Sequence, residues 1–221
     1  MAQLQNDVRD AGEVGYAARA VIDANSLDSI LEANRLFLQL VVTRSTAAGD
    51  AEAFGLPSAV AARIRGLDVP ALHAVAGCPY TLFNLRFEDA AFWRGIAHAT
   101  ATGTLGSLAD DVAVARTAVF LAWHLAQSND LAASLVLGMS EEVRRAWRGI
   151  ALSGLDRAAI AALPHLKARW GRHPTFWPRL LDCTGPDNRG RAEGVRLLGL
   201  QLLAADGSWP GASGLAAARN S

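Results

Sequence analysis

Three arginines in the second half of the chain have the spacing of a basic helix face. Arg144, Arg145 and Arg148 lie at positions i, i+1 and i+4 of a predicted helix, and Arg157 follows near the start of the next one. Guanidinium groups arranged in this way favour contact with the phosphates of nucleic acid, which gives salt-sensitive binding with little sequence specificity. The alternative is a solvated basic face whose neighbouring aromatic residues, such as Trp147, belong to the core.

The distribution of charge limits the kind of nucleic-acid binding that these arginines can support. The 221 residues include 21 Lys and Arg and 21 Asp and Glu, so the formal net charge is zero and a globally basic nucleic-acid coat is excluded. Residues 141–182 nevertheless carry eight Lys and Arg against four acids, a local charge of +4. The short helix predicted after Asp68 offers almost no side chain that reads base edges, and the helix after Asp156 offers only Arg157. We therefore expect phosphate contact without base recognition.

No arrangement of the other titratable residues predicts catalysis or metal binding. His165, His173 and Cys183 come nearest to a metal set, but their spacing matches no common zinc motif and a fourth ligand is missing. The sequence has no phosphate-binding glycine loop, no Gly-x-Ser-x-Gly elbow and no His-Glu-x-x-His motif. The acid pairs Asp110–Asp111 and Glu141–Glu142 lie at predicted helix starts, where they complement the helix dipole. We expect the chain to be neither an enzyme nor a cofactor-binding protein.

The remaining chemistry-bearing residues are interpreted as parts of the core. Two cysteines, Cys78 and Cys183, are too few for a disulfide framework. Cys78, beside a proline, is interpreted as a small buried residue, with an intermolecular disulfide or a redox-sensitive thiol as the alternative. His73 and His124 lie on otherwise apolar predicted helices and are expected in the core or at an interface. The N-terminal residues have no apolar signal core and no membrane span is found, so a cytoplasmic location is expected.

The elements that position these residues are predicted to be helices nearly throughout, because apolar residues recur at helical spacing. The predicted N-caps are Ser26, Asp68, Ser140 and Asp156. Thr81–Phe87 alternates weakly, so the predicted class is all-α, with one short extended pair as the open alternative. The predicted helices cover Leu27–Val42, Ser58–Arg65, 68–76, 88–99, Leu108–Ser128, a segment from Ser140, Arg157–Leu163, 175–181 and Arg191–Ala204.

The two halves of the chain are similar in residue order, with matched segments at a nearly constant separation. Each half has a long helix, an apolar-Gly-apolar step, a helix-turn-helix-like corner and a Phe-Trp pair. We interpret this similarity as a duplication whose two repeats pack with pseudo-two-fold symmetry; the alternative is chance recurrence in an Ala/Leu-rich chain. The predicted organisation is an N-terminal segment (1–21), repeat 1 (22–103), repeat 2 (107–185), and a C-terminal helix with a flexible tail (186–221). The matched segments are Phe54–Leu56 with Leu137–Met139, Gly66–Asp68 with Gly154–Asp156, and Phe92–Trp93 with Phe176–Trp177.

The corner of the first half resembles a known family. Its sequence reads Gly55-Leu-Pro-Ser-Ala-Val-Ala-Ala-Arg-Ile-Arg-Gly-Leu-Asp-Val-Pro-Ala-Leu and runs on to Asn84-Leu-Arg-Phe-Glu. The glycine that opens the first short helix, the corner proline, the apolar face and the Arg-Phe close resemble the FlhD family, which supplies a subunit of the bacterial flagellar master regulator. Residues 22–90 carry this resemblance, and residues 110–182 carry it more weakly through Leu137–Val143. The chain departs from the family in being about twice its usual length and in lacking the Arg-Phe close in the second half.

The resemblance implies an accessory transcriptional regulator of motility-type genes that acts through protein–protein contacts. Family members are homodimeric helical proteins that assemble with a zinc-binding subunit, FlhC, which makes most of the DNA contacts. The expected partners are therefore an FlhC-like subunit or a further copy of the chain, together with promoter DNA. A helical adaptor or scaffold of a secretion or motility system, with no nucleic-acid role, is the alternative. The long helices Leu27–Val42 and Asp111–Ser128 are expected to form the association core, with interface candidates Leu31, Leu36, Phe37, Cys78, Val119 and Trp123.

Overall fold

A computed structural model describes residues 22–44, 50–98, 109–185 and 188–205. These residues are helical almost throughout, which confirms the predicted all-α class. One antiparallel pair of two-residue strands interrupts the helices. The elements are α1 (Ala24–Arg44), α2 (Asp50–Ala53), α3 (Ser58–Arg65), α4 (Val69–Ala76), β1 (Phe83–Asn84), α5 (Ala90–His98), α6 (Ala109–Ser128), α7 (Asp130–Leu137), α8 (Glu141–Arg148), α9 (Leu155–Ala162), β2 (Lys167–Ala168), α10 (Phe176–Asp182) and α11 (Arg189–Leu203), with 3₁₀ turns at Leu152–Gly154 and Leu163–His165.

Side chains that cap helix N-termini explain where several helices begin. Asp68 accepts a hydrogen bond from the Ala71 amide at 2.8 Å and starts α4, as predicted. Ser140 starts α8 by accepting from the amide three residues later. The prediction for α1 was wrong by one turn, because Asp23 accepts from both the amide and the hydroxyl of Ser26. These two bonds, the hydroxyl bond foremost, lower the pKa of the Asp23 carboxyl. The cap predicted at Asp156 was also wrong, since α9 begins one residue earlier with no side-chain cap.

Helix α7 was not predicted, although its capping signals are present in the sequence. Asn129 accepts a hydrogen bond from the Ala132 amide at 2.9 Å, and Asp130 lies in the first turn, where a carboxylate complements the helix dipole. The helix ends at Gly138, which has φ 70°. A left-handed residue at this position favours glycine, because a Cβ there would crowd the backbone.

The chain divides into two compact units that are not consecutive in sequence. Unit 1 comprises the described residues up to Pro79 together with Trp170–Leu202, and unit 2 comprises the described residues of Tyr80–Arg169 together with those from Leu203 onward. This division differs from the two consecutive repeats expected, because α5 packs against α8 and β1 pairs with β2. The hinge predicted at residues 100–106, the N-terminal segment 1–21 and the tail after residue 205 lie outside the described residues.

Unit 1 is built on α1, which packs against α3 and α4. Phe37 of α1 meets Phe54 edge to face, with ring centroids 6.0 Å apart, and Ile64 of α3 is fully buried. Asn34, also fully buried, donates from its amide to the carbonyls of Ala76 and Cys78 at 3.1 and 3.3 Å. A buried side-chain amide thus satisfies carbonyls at the C-terminal end of α4 that have no partner within the helix.

Unit 2 is built on α6, which packs against α7, α8 and α9. Phe83 pairs with Ala168 and Asn84 with Lys167, so β1 and β2 connect the start of the unit to its end. Thr81 adds two bonds to the carbonyl of Val136, one from its amide at 3.1 Å and one from its hydroxyl at 3.2 Å. Among the residues described here, no helix combines the length and the hydropathy needed to cross a membrane.

Candidate functional site

Arg144 is an internal residue of unit 2, and this corrects its assignment as a phosphate contact. It is only 7% exposed. Its Nη1 donates to the Ser134 hydroxyl at 2.5 Å and to the Met139 carbonyl at 2.9 Å. Its Nε lies 3.5 Å from the Asp130 carboxylate, within ion-pair range, but makes no hydrogen bond. The guanidinium therefore joins the start of α8 to both ends of α7 and is not presented to a ligand.

The other three basic candidates remain at the surface but differ in their contacts. Arg148 donates from Nε to the Ala126 carbonyl at 2.9 Å and forms an ion pair with Asp130, so it fastens α8 to α6 and α7. Arg145 is 70% exposed and pairs with Glu141 one turn earlier on the same helix, at 2.6 Å. Arg157 is exposed on α9. Arg145 and Arg157 are thus the two predicted residues whose positions suit contact with an external anion.

Three of the six predicted interface residues belong to the interior of their own unit. Phe37, Cys78 and Val119 are fully buried, so their assignment to an interface is corrected to a core role. The remaining three, Leu31, Leu36 and Trp123, are half-buried. The Trp123 indole donates to the Ile150 carbonyl at 2.9 Å and so holds α6 against the end of α8.

The histidines and cysteines are dispersed. His73 and His124 were expected in the core or at an interface; both are exposed, so they do not belong to the core of this chain. His173 accepts from the amides of Thr175 and Phe176 at 3.3 and 3.2 Å and so caps the start of α10. Burial raises the pKa of the Cys183 thiol, so the neutral form is favoured there. Within the described ranges, no group of three or more His, Cys, Asp or Glu is placed to hold a metal ion.

An aromatic cluster that was not predicted from sequence fixes α5 against α8. Trp93 of α5 and Trp147 of α8 are both fully buried, with ring centroids 4.1 Å apart, and Phe87 packs against both. The Trp93 indole donates to the Arg86 carbonyl at 2.8 Å. Each aromatic pair is worth about 0.5–1.5 kcal/mol beyond the area it buries, so this cluster sets the spacing of the two helices. The Phe92–Trp93 pair was visible in the sequence as a repeated feature, but its partner Trp147 was not.

The start of α5 is held by charge and by capping. Asp89 accepts a hydrogen bond from the Phe92 amide at 2.8 Å, and its carboxylate pairs with Arg86. The amide bond first, and then the Arg86 charge, hold the pKa of the Asp89 carboxyl below its ordinary value. The Arg86 guanidinium also lies over the Phe92 ring, 4.6 Å from its centroid. These contacts fix the direction in which α5 leaves the strand pair.

A cleft of about 300 Å³ lies between α5 and α8 on the surface of unit 2. Two guanidinium groups and one carboxylate stand on its lining, together with small residues that leave the space open. Arg94 donates from Nε to the Ala90 carbonyl at 3.1 Å and has no ion pair with another described residue. Paired guanidinium groups in such a cleft suit a carboxylate or phosphate ligand. The lining residues are Arg94, Ala97, Glu142, Arg145, Ala146 and Gly149.

Comparisons with known proteins found no relative of this chain. No family model, no curated protein and no solved structure gives a match to the chain. The function is therefore inferred from the local structure and from the resemblance of the first corner to the FlhD family.

Proposed function

We propose that this chain is a duplicated, FlhD-like accessory subunit of a transcriptional regulator, and that it acts by association with a second protein. The observation that carries the proposal is the recurrence of one local structure in both halves. Gly55 and Gly138, at matched positions of the two halves, have φ values of 72° and 70°. Each is followed, three residues later, by an eight-residue helix that ends at a glycine. A second eight-residue helix, α4 or α9, completes each corner.

The segments that follow the corners match as well. The starts of β1 and β2 are separated along the chain by the same distance as the two Phe-Trp pairs. Two residues after each strand ends, the chain passes through a left-handed residue, Arg86 with φ 58° and Trp170 with φ 50°. Non-glycine residues seldom adopt this conformation, so its recurrence at matched positions is specific. These matches support a duplication.

The caps of α5 and α10 provide a third correspondence. Asp89 accepts a hydrogen bond from the Phe92 amide, and His173, at the matched position of the second half, accepts one from the Phe176 amide. The residue after each phenylalanine is a fully buried tryptophan. A different acceptor atom thus performs the same capping role in each half, which is typical of a diverged duplicate.

Each unit combines elements from both halves of the sequence. In unit 1, α10 from the second half packs against α3 from the first. In unit 2, α5 from the first half packs against α8 from the second. Exchange of a closing helix between two copies is the pattern of a swapped homodimer, and here the two copies are on one chain. This pattern supports the proposal that the chain replaces a homodimer of single-length subunits.

The regulatory role follows from the resemblance, which falls on α3, α4 and β1. Contact with DNA is proposed for Arg157 alone, because Arg144 and Arg148 are engaged inside unit 2 and Arg145 lines a cleft together with the carboxylate of Glu142. One such contact contributes little affinity and no base recognition, so most of the DNA contact in a promoter complex is assigned to the partner.

The proposed function is tested with the full chain, a zinc-binding FlhC-like subunit and a flagellar promoter duplex. We expect a complex on the promoter that contains both proteins, detected by fluorescence anisotropy across salt concentrations. The variant Arg157→Ala should reduce the slope of log affinity against log salt by about 1. Arg35→Ala, at a surface arginine of unit 1, is the control and should leave the slope unchanged. A chain that joins no promoter complex at any salt concentration would favour the adaptor class instead.

A further inference from the structure

Two helix pairs correspond between the units: α3 with α10 in unit 1, and α8 with α5 in unit 2. They differ at one position whose side chain decides whether the groove between the two helices is filled. In unit 1, Arg63 of α3 crosses to α10, where its Nη2 lies 2.5 Å from the Asp182 carboxylate and its Nη1 lies 3.5 Å from the Pro178 carbonyl. The side chain of Arg63 therefore occupies the groove between these two helices.

The equivalent groove of unit 2 is open. Ala146 holds the position of α8 that Arg63 holds in α3, by the same separation that relates Gly138 to Gly55. Its side chain ends at Cβ and leaves the cleft between α8 and α5 unfilled. On the facing helix, Arg94 stands at the position that Pro178 occupies in α10, so a guanidinium replaces a residue that has no charge. The substitutions thus remove the arginine that bridges the two helices across the groove and place arginines around its opening.

The charged side chains around this cleft can give up their present contacts and bind a ligand instead. Arg145 pairs with Glu141, but the two side chains are 70% and 75% exposed, and an exposed pair within one helix is worth about 0.3–0.5 kcal/mol. A carboxylate that entered the cleft would meet Arg145 and Arg94 together, since both side chains stand on its lining. Charge-assisted bonds to two guanidinium groups are about twice as strong as neutral hydrogen bonds.

The composition of the cleft favours a peptide over a nucleic acid. Glu142 on the lining repels a chain of phosphates, whereas it can accept a hydrogen bond from a peptide amide or a basic side chain. Ala97, Ala146 and Gly149 carry little side chain, so the backbone of a docked segment can approach closely. Arginine clusters that recognise acidic motifs are an established mode of peptide binding.

We propose that the cleft between α5 and α8 binds an acidic segment of the partner protein through a carboxylate held by Arg94 and Arg145. The proposal rests on the associative role given above and names the place and chemistry of the contact. The open groove of unit 2 is the docking site, and the groove of unit 1 is closed by its own Arg63.

The test is a titration of the full chain, without partner or promoter, against a fluorescein-labelled helical peptide of Ala, Leu and Glu. We expect saturable binding by fluorescence anisotropy, and no binding of the same peptide with Lys in place of Glu. Ala146→Arg, which installs the residue found in unit 1, should weaken binding at least about tenfold. Ala62→Arg, at an exposed position of α3, is the matched control and should bind as the unmodified chain does.

A second variant keeps the proposal falsifiable if Ala146→Arg does not fold. Arg94→Glu/Arg145→Glu changes only exposed side chains and should also weaken binding at least about tenfold. Arg116→Glu, on an exposed arginine outside the cleft, is its control. The proposal is overturned if neither variant weakens binding, if the Glu peptide does not bind, or if a short DNA duplex displaces it. Because the titration contains no promoter, its result is independent of whether the promoter complex forms.

Discussion

Arg144 and Arg145 are adjacent in sequence, yet one is an internal residue and the other is a surface residue. The sequence predicts that they share a basic face with Arg148, because the apolar residues around them are too few to fix the helix phase. The phase is set by Trp147, which packs against Trp93, and by α7, which supplies the oxygen atoms that Arg144 binds. Trp93 is distant along the chain, and α7, although it directly precedes α8, was not predicted from the sequence. The sequence therefore shows three arginines close together on one helix, but it does not show which of them is buried.

The variant Arg144→Leu should lower the free energy of unfolding by about 1–3 kcal/mol. It removes the Arg144 donor from both the Ser134 hydroxyl and the Met139 carbonyl, and leaves only the bond that the Ser134 hydroxyl donates to that carbonyl. Arg145→Leu, on the exposed side of the same helix, should change it by no more than about 0.5 kcal/mol. Chemical denaturation of both variants measures the difference. Equal losses in the two variants would show that Arg144 is not an internal anchor.

Asp89 should make stability depend on pH at the acidic end of the range. Its folded-state pKa lies below the ordinary value of 3.8, chiefly because the Phe92 amide donates to it and then because Arg86 is close. A carboxyl with a depressed folded pKa stabilises the fold fully above its unfolded pKa, and this contribution is lost as the pH falls through the folded pKa. We expect Asp89→Asn to be less stable than the unmodified chain at about pH 6, and this difference should become smaller as the pH falls toward about 2. If the difference in stability between the variant and the unmodified chain is the same at both pH values, Asp89 does not cause the pH dependence.

At the scale of elements, the sequence predicted the bounds of those helices whose ends are determined by residues within one turn. Helices α3 and α4 have the predicted bounds because their start and stop signals, such as Asp68 and Gly66, act within one turn. The strand pair was predicted only as an open alternative, since Phe83 pairs with Ala168, which is distant along the chain. Helix α7 was missed even though Asn129 and Gly138 are ordinary start and stop signals. It is short and buried on nearly all sides, so its apolar residues give no clear helical period.

Gly138 provides a test of the second corner. Its φ of 70° favours glycine, so Gly138→Ala should lower the free energy of unfolding by about 1–2 kcal/mol. Gly95 is a matched control, because it lies within α5 and a Cβ built there meets no atom within 4 Å. Gly95→Ala should raise stability by roughly 0.5–1 kcal/mol through helix propensity. Thermal or chemical unfolding of the two variants should therefore give shifts of opposite sign, and shifts of the same sign would contradict the assigned corner geometry.

At the scale of the whole molecule, the matched segments were visible in the sequence, but the composition of the units was not. The Phe-Trp pairs at Phe92 and Phe176 indicate that α5 and α10 are counterparts. Which corner each helix closes depends on long-range packing, such as that of Trp93 on Trp147, and no local pattern encodes it. The proposed cleft depends on the same packing. Arg94 was not selected from the sequence because α8, its neighbour across the cleft, is distant along the chain.

The mass of the chain and of its complex in solution tests most directly whether one chain takes the place of a homodimer. By light scattering after size exclusion, we predict 23.3 kDa for the chain alone, and one copy of the chain in each complex with an FlhC-like zinc-binding subunit. A dimer of the chain, two copies in each complex, or no association with the FlhC-like subunit would contradict the account.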